Sequence, residues 1–298
     1  MSVKVVEGKA DYSVLQKVKD YQMLVKFRLT ATVVFSSVIA FLIASEGAIN
    51  WVAVVILAAG GFLVTGAANT LNQVLEKDFD KLMKRTADRP LAAGRMKDSE
   101  AVLAAGLMSL AGILLLALFN PWTAFFGMVA LLSYAFLYTP MKRISPIAVI
   151  IGAVPGALPT LIGCAAAEGT LTLLALSLFT LQFLWQFPHF WSIGWLGFED
   201  YQKAGYKIVP TLNGKQDPSI GLQSLLYALF LVPVAFLPWY LGVSGIVSAV
   251  LVALLGLVYA GFSWNFYKKS NRKSALLLMF FSFFYIPISL IAFLADKV

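Results

Sequence analysis

Charged residues are scarce in this chain of 298 residues: Asp, Glu, Lys and Arg make up 13% of it, whereas hydrophobic residues make up 60%. The mean hydropathy of +0.81 excludes an ordinary soluble domain. Cysteine occurs once, at Cys164, which excludes an intramolecular disulfide and predicts a small residue of the core. The first 25 residues are polar and lack the apolar stretch of a cleavable signal peptide, so we expect an amphipathic lead-in there.

Long apolar segments dominate the rest of the chain. Several reach the roughly 20 residues that an α-helix needs to cross a bilayer, and the others come near it. The nine segments lie at about 28–46, 51–72, 101–119, 122–140, 146–166, 171–196, 219–239, 243–266 and 274–295. We therefore predict an all-α, polytopic membrane protein with nine transmembrane helices.

The basic residues predict how these helices are oriented. Of the 23 Lys and Arg residues, all but Lys297 fall in segments that lie on the same side of the predicted bundle. Because basic loops stay on the cytoplasmic side, we expect a cytoplasmic amino terminus, cytoplasmic long loops and a carboxyl terminus on the opposite side. In a bacterium this would be the inner membrane. The net charge of +8 then reflects topology and an affinity for anionic lipid, and it implies no nucleic-acid partner.

The most informative polar motif follows the second apolar segment, between Asn72 and Pro90. Asn72, Glu76 and Asp80 recur every four residues, so on a helix their oxygen atoms share one face and can hold a hard divalent cation. The basic residues Lys84, Arg85 and Arg89 follow at once. Carboxylates for the metal and cations for the spare phosphate oxygens together suit a magnesium-bridged diphosphate. The alternative is a solvated loop between two apolar helices.

A second charged loop follows the sixth apolar segment and also runs from acidic to basic residues. It begins with Glu199 and Asp200, which a helical bundle could place opposite Glu76 and Asp80 over one central cavity. Such a cavity could hold two metal ions with a diphosphate between them. The alternative is a pair of ordinary loop carboxylates.

The sixth apolar segment itself contains polar groups where lipid would penalise them, namely Gln182, Gln186 and His189. We expect them to face the protein interior. Pro188 can kink the helix and make room for a bulky ligand. His189 has several open interpretations: a haem-iron ligand, a contact of a porphyrin propionate, a proton acceptor, or an interior imidazole that is simply hydrogen-bonded.

These motifs together resemble the UbiA-type intramembrane prenyltransferases, and within them the branch that farnesylates haem B. The resemblance covers nearly the whole chain. It is carried by LVKFR at 24–28, by the motif from Asn69 to Pro90, by YTPMKR at 138–143, by the run from Ile151, by WQFPHF at 185–190 and by DYQKAG at 200–205. Three positions depart from the family pattern: Phe27 replaces a proline, Glu76 replaces an aspartate, and Ala204 stands where a second aspartate would lie.

The resemblance implies one nine-helix domain, 28–298, around a central cavity capped by cytoplasmic loops, with residues 1–27 as a lead-in. It implies farnesyl transfer from farnesyl diphosphate to a vinyl group of haem B with addition of water, dependence on Mg²⁺, and haem A synthase or terminal oxidase assembly factors as partners. The implied catalytic residues are Asn72, Glu76, Asp80, Arg85, Arg89 and Asp200, of which Asn72, Glu76, Asp80 and Asp200 would bind metal. The implied substrate-binding residues are Lys26, Arg28, Asn69, Tyr138, Lys142, Arg143, Gln186, His189, Tyr201 and Lys203.

Two alternatives stay open from the sequence. One is a UbiA-type prenyltransferase with a quinone precursor or another aromatic acceptor, against which the PHF context of His189 argues. The other is a membrane transporter of haem or another small molecule, which would distribute polar residues through the depth of several helices. The charged residues instead cluster at one face, which favours a one-sided active site.

Overall fold

The computed structural model describes residues 13–298 and is helical apart from one short β-hairpin within that range. The first elements are α1 (Val14–Leu24), α2 (Phe27–Ala44), α3 (Trp51–Asp80), α4 (Asp98–Ala117), α5 (Pro121–Leu132), a π-helical segment (Ser133–Tyr138) and α6 (Thr139–Met141). They are followed by α7 (Ala148–Glu168), α8 (Leu173–Leu196), α9 (Phe198–Lys203), β1 (Thr211–Leu212), β2 (Lys215–Gln216), α10 (Ser219–Val234), α11 (Leu237–Tyr240), α12 (Ile246–Lys269) and α13 (Arg272–Ala295).

The prediction of nine membrane-spanning helices is confirmed within residues 13–298. Nine helical segments are long and apolar enough to cross a bilayer, and each overlaps a predicted segment. Two of them are composite, Pro121–Met141 and Ser219–Tyr240. The second span was predicted to end at residue 72, but its helix runs on to Asp80. The predicted lead-in, 1–27, lies outside the described residues for positions 1–12.

Polar side chains begin several helices where the apolar segments start. Asn50, Asn120 and Thr172 accept hydrogen bonds from the backbone N–H groups three residues further on, at 3.0–3.2 Å. These caps satisfy amide groups that a helix start leaves unpaired. The starts of α3, α5 and α8 lie at the face opposite the charged loops. We call the face that carries the loops 81–97 and 197–218 the charged face.

Helix α7 forms the centre of the bundle and is the most buried of the spans. It packs against α2, α5 and α8, while α10 and α13 pack against α8 and α12 packs against both α10 and α13. Small residues permit these close approaches: a Cβ atom on Gly112 would lie 2.9 Å from the backbone nitrogen of Val64, so α3 and α4 touch there. Cys164 lies fully buried on α7, as predicted.

Helix α1 lies at the charged face and is fastened by ionic contacts rather than by a membrane span. Tyr21 donates a 2.8 Å hydrogen bond to Glu100 at the start of α4. Arg95 bridges the fully buried Asp20 of α1 and the exposed Asp88 of the loop after α3. These contacts fix the turn between α1 and α2, which delivers Lys26 to the site described next.

Candidate active site at the charged face

The predicted oxygen-bearing stripe exists and is buried. Asn72, Glu76 and Asp80 all lie on the last turns of α3, with exposures of 1%, 4% and 1%. Asn72 Nδ2 donates a 2.8 Å hydrogen bond to Glu76 Oε2, which shows that the two side chains share a face as their spacing required. A solvated surface loop, the alternative interpretation, would have left these groups exposed.

The loop after α3 folds back so that Arg89 covers Asp80. Arg89 Nη1 donates to both carboxylate oxygens of Asp80, at 2.8 and 2.7 Å. The hydroxyl of Thr86 donates a 2.8 Å hydrogen bond to the backbone carbonyl of Asp80 and holds the loop in this position. A buried carboxylate requires such a partner, because an unpaired charge away from water is costly.

Two lysines reach the stripe from other segments. Lys142, in the turn after α6, forms an ion pair with Glu76. Lys26 Nζ donates a 3.0 Å hydrogen bond to Asn72 Oδ1. The backbone of Lys26 has φ = +48°, a left-handed conformation that is strained for a residue with a side chain. The strained turn directs the ammonium group toward the stripe. Strained backbone conformations of this kind are concentrated at functional sites.

The site therefore holds an excess of positive charge. Three cations, Lys26, Arg89 and Lys142, surround two carboxylates, Glu76 and Asp80. Burial lowers the pKa of Lys26 well below its ordinary value, and the nearby charge of Arg89 lowers it further. Burial also lowers the pKa of Lys142, against the opposing effect of Glu76. An anion bound here would relieve this electrostatic cost.

The second charged loop meets the first, as predicted. Arg85 donates a 3.4 Å hydrogen bond to the Tyr201 hydroxyl of α9. Tyr206, just beyond α9, is buried with its ring 5.3 Å from Lys142 Nζ and 6.2 Å from the ring of Phe79. Burial and the nearby Glu76 raise the pKa of the Tyr206 phenol. The two loops thus cap the same site.

The acidic residues of the second loop are more exposed than Tyr206. Glu199 is exposed, and Asp200 is half-buried with Lys203 Nζ 3.9 Å from its carboxylate. Among residues 13–298, no three His, Cys, Asp or Glu side chains converge as metal ligands. The metal-binding roles of Asn72, Glu76, Asp80 and Asp200 stay a prediction.

An apolar cleft lies directly below the charged site. It contains about 960 Å³ of empty space, part of it open to its surroundings, and its walls come from α2, α3, α7 and the π-helical segment. Asn69 and Tyr138 line its upper end. Tyr134 also lines it and lies 3.5 Å from Lys26 Nζ, so its phenol stands at the boundary between the charged site and the cleft.

Of four other predicted site residues, three make contacts that suit a structural role and the fourth, Arg28, is exposed. Asn69 Nδ2 donates to Thr30 Oγ1 at 3.1 Å and ties α3 to α2. Gln186 Nε2 donates a 3.0 Å hydrogen bond to a carbonyl of α7. Arg143 is exposed and lies over the ring of Phe79, 4.4 Å from its centroid, whereas Arg28 is exposed at the start of α2. Their substrate-binding roles stay predictions.

His189 contacts a neighbouring helix of the bundle, and its substrate-binding role stays a prediction. Its neighbour Phe190 lines the cleft, whereas His189 lies against α13 with Nδ1 2.7 Å from Ser282 Oγ. The imidazole also stacks on Trp185, with ring centroids 4.8 Å apart. The hydroxyl of Ser282 satisfies the ring nitrogen, so the packing of α8 on α13 determines the direction of this side chain.

Three residues of the site were missed from the sequence. Tyr134 and Tyr206 are described above, and Thr139 Oγ1 accepts a 3.0 Å hydrogen bond from Asn72 Nδ2. Thr139 is adjacent to Tyr138 in the YTPMKR motif that carried the resemblance, so this proximity was an available signal. Tyr206 directly follows the DYQKAG motif, but its contacts with Lys142 and Phe79 join residues more than 60 positions apart and could not be inferred from local spacing.

The fold and this site place cationic side chains above an apolar cleft within a membrane-spanning bundle, an arrangement that suits a molecule with an anionic head group and an apolar tail. The sequence signature of the UbiA prenyltransferase family matches residues 33–285. A protoheme IX farnesyltransferase of Cytophaga hutchinsonii is 44% identical over 279 residues, which are 93% of this chain and 97% of that protein. A protoheme IX farnesyltransferase of Flavobacterium johnsoniae is 41% identical and covers 93% and 94%. The chain belongs to the UbiA prenyltransferase family.

Solved structures share the architecture. A digeranylgeranylglyceryl phosphate synthase superposes with a TM-score of 0.79 at 20% identity, covering 94% of this chain and 98% of the other. A UbiA homologue from Archaeoglobus fulgidus bound to DMAPP and Mg²⁺ gives a TM-score of 0.67 at 14% identity, covering 92% and 99%. At these identities the likeness supports the fold alone.

Proposed function

We propose that this protein transfers a farnesyl group from farnesyl diphosphate to a vinyl group of haem B, with addition of water. The observation that carries the proposal is the juxtaposition of three cations, Lys142 buried and Lys26 and Arg89 half-buried, with an oxygen-bearing stripe directly above an apolar cleft. The names of relatives that are 40–44% identical over most of the chain support haem B as the acceptor and farnesyl as the donor.

The residues at the mouth of the cleft suit a magnesium-bridged diphosphate. Glu76 and Asp80 offer hard carboxylate oxygens and Asn72 an amide oxygen on one helix face, which are ligands that Mg²⁺ prefers. These three residues, with Asp200 as a candidate from the second loop, would hold the metal. The ion supplies Lewis-acid stabilisation of the charge on the departing diphosphate.

The protein's own cations would also stabilise the negative charge on the departing diphosphate. When the C–O bond of farnesyl diphosphate breaks, the electron pair leaves with the diphosphate and the farnesyl group becomes an allylic cation. In this proposal Lys26, Arg89 and Lys142, with Arg85 at the rim, bind the phosphate oxygens and stabilise this developing charge. Each of these cations contacts a residue of the stripe, so binding of the metal and the diphosphate would exchange those contacts for contacts with phosphate oxygens.

The cleft determines whether water or the haem vinyl group reacts with the allylic cation. Its apolar walls exclude water, which limits hydrolysis of the farnesyl cation before the haem vinyl group attacks. Attack of the vinyl group moves the positive charge onto the haem substituent, water then adds there and loses a proton, and a hydroxyethylfarnesyl side chain results. Water must therefore reach the haem side and be kept from the farnesyl side.

We also propose that the charged face is cytoplasmic, because all but one of the basic residues between positions 13 and 298 lie at that side of the spans. The lead-in 1–27 and the domain 28–298 form one catalytic unit in this proposal, since Lys26 belongs to the site.

An acceptor competition tests the function. The purified protein in detergent is incubated with farnesyl diphosphate, Mg²⁺ and an equimolar mixture of haem B and 4-hydroxybenzoate, and products are identified by mass spectrometry. We expect farnesylated, hydrated haem. Farnesylated hydroxybenzoate without a haem product would favour the quinone-precursor alternative, and no farnesyl transfer at all would contradict the proposal.

A further inference from the structure

The deep end of the cleft has a fixed floor. Ser37, Gly61, Leu116 and Ile162 line it at the end remote from the charged site. Leu116 is fully buried, and a Cβ atom on Gly60 or Gly127 would lie only 3.0 or 2.5 Å from its methyl groups. Helices α3 and α5 therefore pack against this side chain from two sides, which leaves no space for another rotamer that would lengthen the cleft.

The depth of the cleft can be read from the helices that form its walls. Along α7, the lining residues run from Gly152 to Ile162, which corresponds to about 15 Å at the helical rise of 1.5 Å per residue. Along α3 they run from Asn69 to Gly61, about 12 Å by the same rise. The apolar space below the diphosphate site is thus about 12–15 Å deep.

This depth matches one isoprenoid length. With C–C bonds of about 1.5 Å, the extended main chain of a farnesyl group spans about 14 Å, that of geranyl about 9 Å and that of geranylgeranyl about 19 Å. A farnesyl chain of this length would reach from the mouth of the cleft to its floor. Geranyl would leave the deep end empty, and geranylgeranyl would meet Leu116.

Gly61 occupies the decisive position at the floor. A Cβ atom there would contact only Val34, at the ordinary distance of 3.7 Å, so no neighbouring helix requires glycine at this place. The space beside it belongs to the cleft. This differs from Gly112, where the neighbouring backbone excludes any side chain. Absence of a side chain at Gly61 therefore keeps the deep end open.

We propose that Gly61 and Leu116 determine the length of the isoprenoid chain, with Gly61 leaving room for the third isoprene unit and Leu116 excluding a fourth. The inference rests on the proposed function, because it concerns the tail of the same donor. It assigns a specificity role to two residues that carry no charge and no reactive group.

The test uses two variants with opposite expectations. Gly61→Leu should fill the deep end and shift the preference from farnesyl to geranyl diphosphate by at least about tenfold, since one or two methylene groups in an apolar pocket discriminate by that amount. Leu116→Ala should open the floor and raise the preference for geranylgeranyl over farnesyl diphosphate by a similar factor. Gly106→Leu, at an exposed glycine of α4 with open space around it, is the matched control and should leave both ratios unchanged.

Two readouts keep the inference separate from the proposed function. Competition binding of the three diphosphates with Mg²⁺ needs no acceptor and measures chain-length preference directly; product mass spectrometry with haem B measures the reaction. Shifted binding ratios without any haem product would overturn the proposed function and support the inference. Unchanged ratios in both folded variants, with an active wild type, would overturn the inference alone. If one variant does not elute as a monodisperse species in detergent, the other decides.

Discussion

Replacement of Arg89 by lysine separates geometry from charge at the centre of the site. Arg89 Nη1 contacts both oxygens of Asp80, and the two side chains are only 16% and 1% exposed. Lysine keeps the positive charge but has a compact ammonium group on a different stem, so it cannot reproduce the planar fork that arginine presents to carboxylates and phosphates. We expect Arg89→Lys to fold and to lose activity.

The magnitude follows from the hydrogen bonds that the substitution removes. A hydrogen bond to a charged group contributes about 1.5–3 kcal/mol, so removal of one such bond should reduce kcat/KM for farnesyl diphosphate by roughly 10- to 150-fold. Arg89→Ala should lower stability as well as activity, because it leaves the buried Asp80 unpaired, and breaking a buried ion pair costs about 3–5 kcal/mol of stability. The lysine variant is therefore the more specific probe of substrate binding.

The assay is steady-state kinetics against farnesyl diphosphate at saturating haem B, together with the Tm of each variant in detergent. Arg272→Lys is the control, because Arg272 is an exposed arginine at the start of α13 on the charged face. If both the turnover and the KM for farnesyl diphosphate were unchanged in Arg89→Lys and in Arg89→Ala, Arg89 would serve only as a determinant of topology.

Three further outcomes are expected. Asp80→Ala and Asn72→Ala should abolish turnover while the protein stays folded in the membrane. Asp78→Ala, at an exposed position paired with a neighbouring lysine, is the control and should be nearly neutral. Full activity of either buried variant at limiting magnesium would show that the stripe takes no part in catalysis. Chelation of divalent ions with EDTA should stop turnover, with recovery on adding excess Mg²⁺, and undiminished turnover in chelator would contradict a metal-assisted mechanism. If His189 has the substrate-binding role that the resemblance implies, His189→Ala should weaken haem B binding and spare farnesyl diphosphate binding; parallel loss of both with a lower Tm would show that its contact with Ser282 is purely structural.

The sequence was sufficient for the spans because lipid imposes a simple rule of length and apolarity. All nine predicted segments correspond to helices in the described part of the chain. The end of α3 was predicted eight residues early, since the apolar signal stops near Asn72 while the helical hydrogen bonds continue to Asp80. That extension is what turns Asn72, Glu76 and Asp80 into one buried face.

The site was predictable in its local part and not in its long-range part. The spacing of Asn72, Glu76 and Asp80 is encoded by the helical repeat, and the structure shows the shared face. The π-helical segment Ser133–Tyr138, which brings Tyr134 to the site, has no comparable periodic signal. The direction of His189 could not be inferred either, because it depends on the packing of α13 against α8.

One measurement tests the central claim most directly: mass spectrometry of the pigment formed from haem B, farnesyl diphosphate and Mg²⁺ in ¹⁸O-labelled water by the wild type and by Asp80→Ala. The account predicts that the wild type yields haem carrying one farnesyl group and one ¹⁸O-labelled hydroxyl group, and that the variant yields unchanged haem B. Unmodified haem with the folded wild type, or equal product from both proteins, would contradict it.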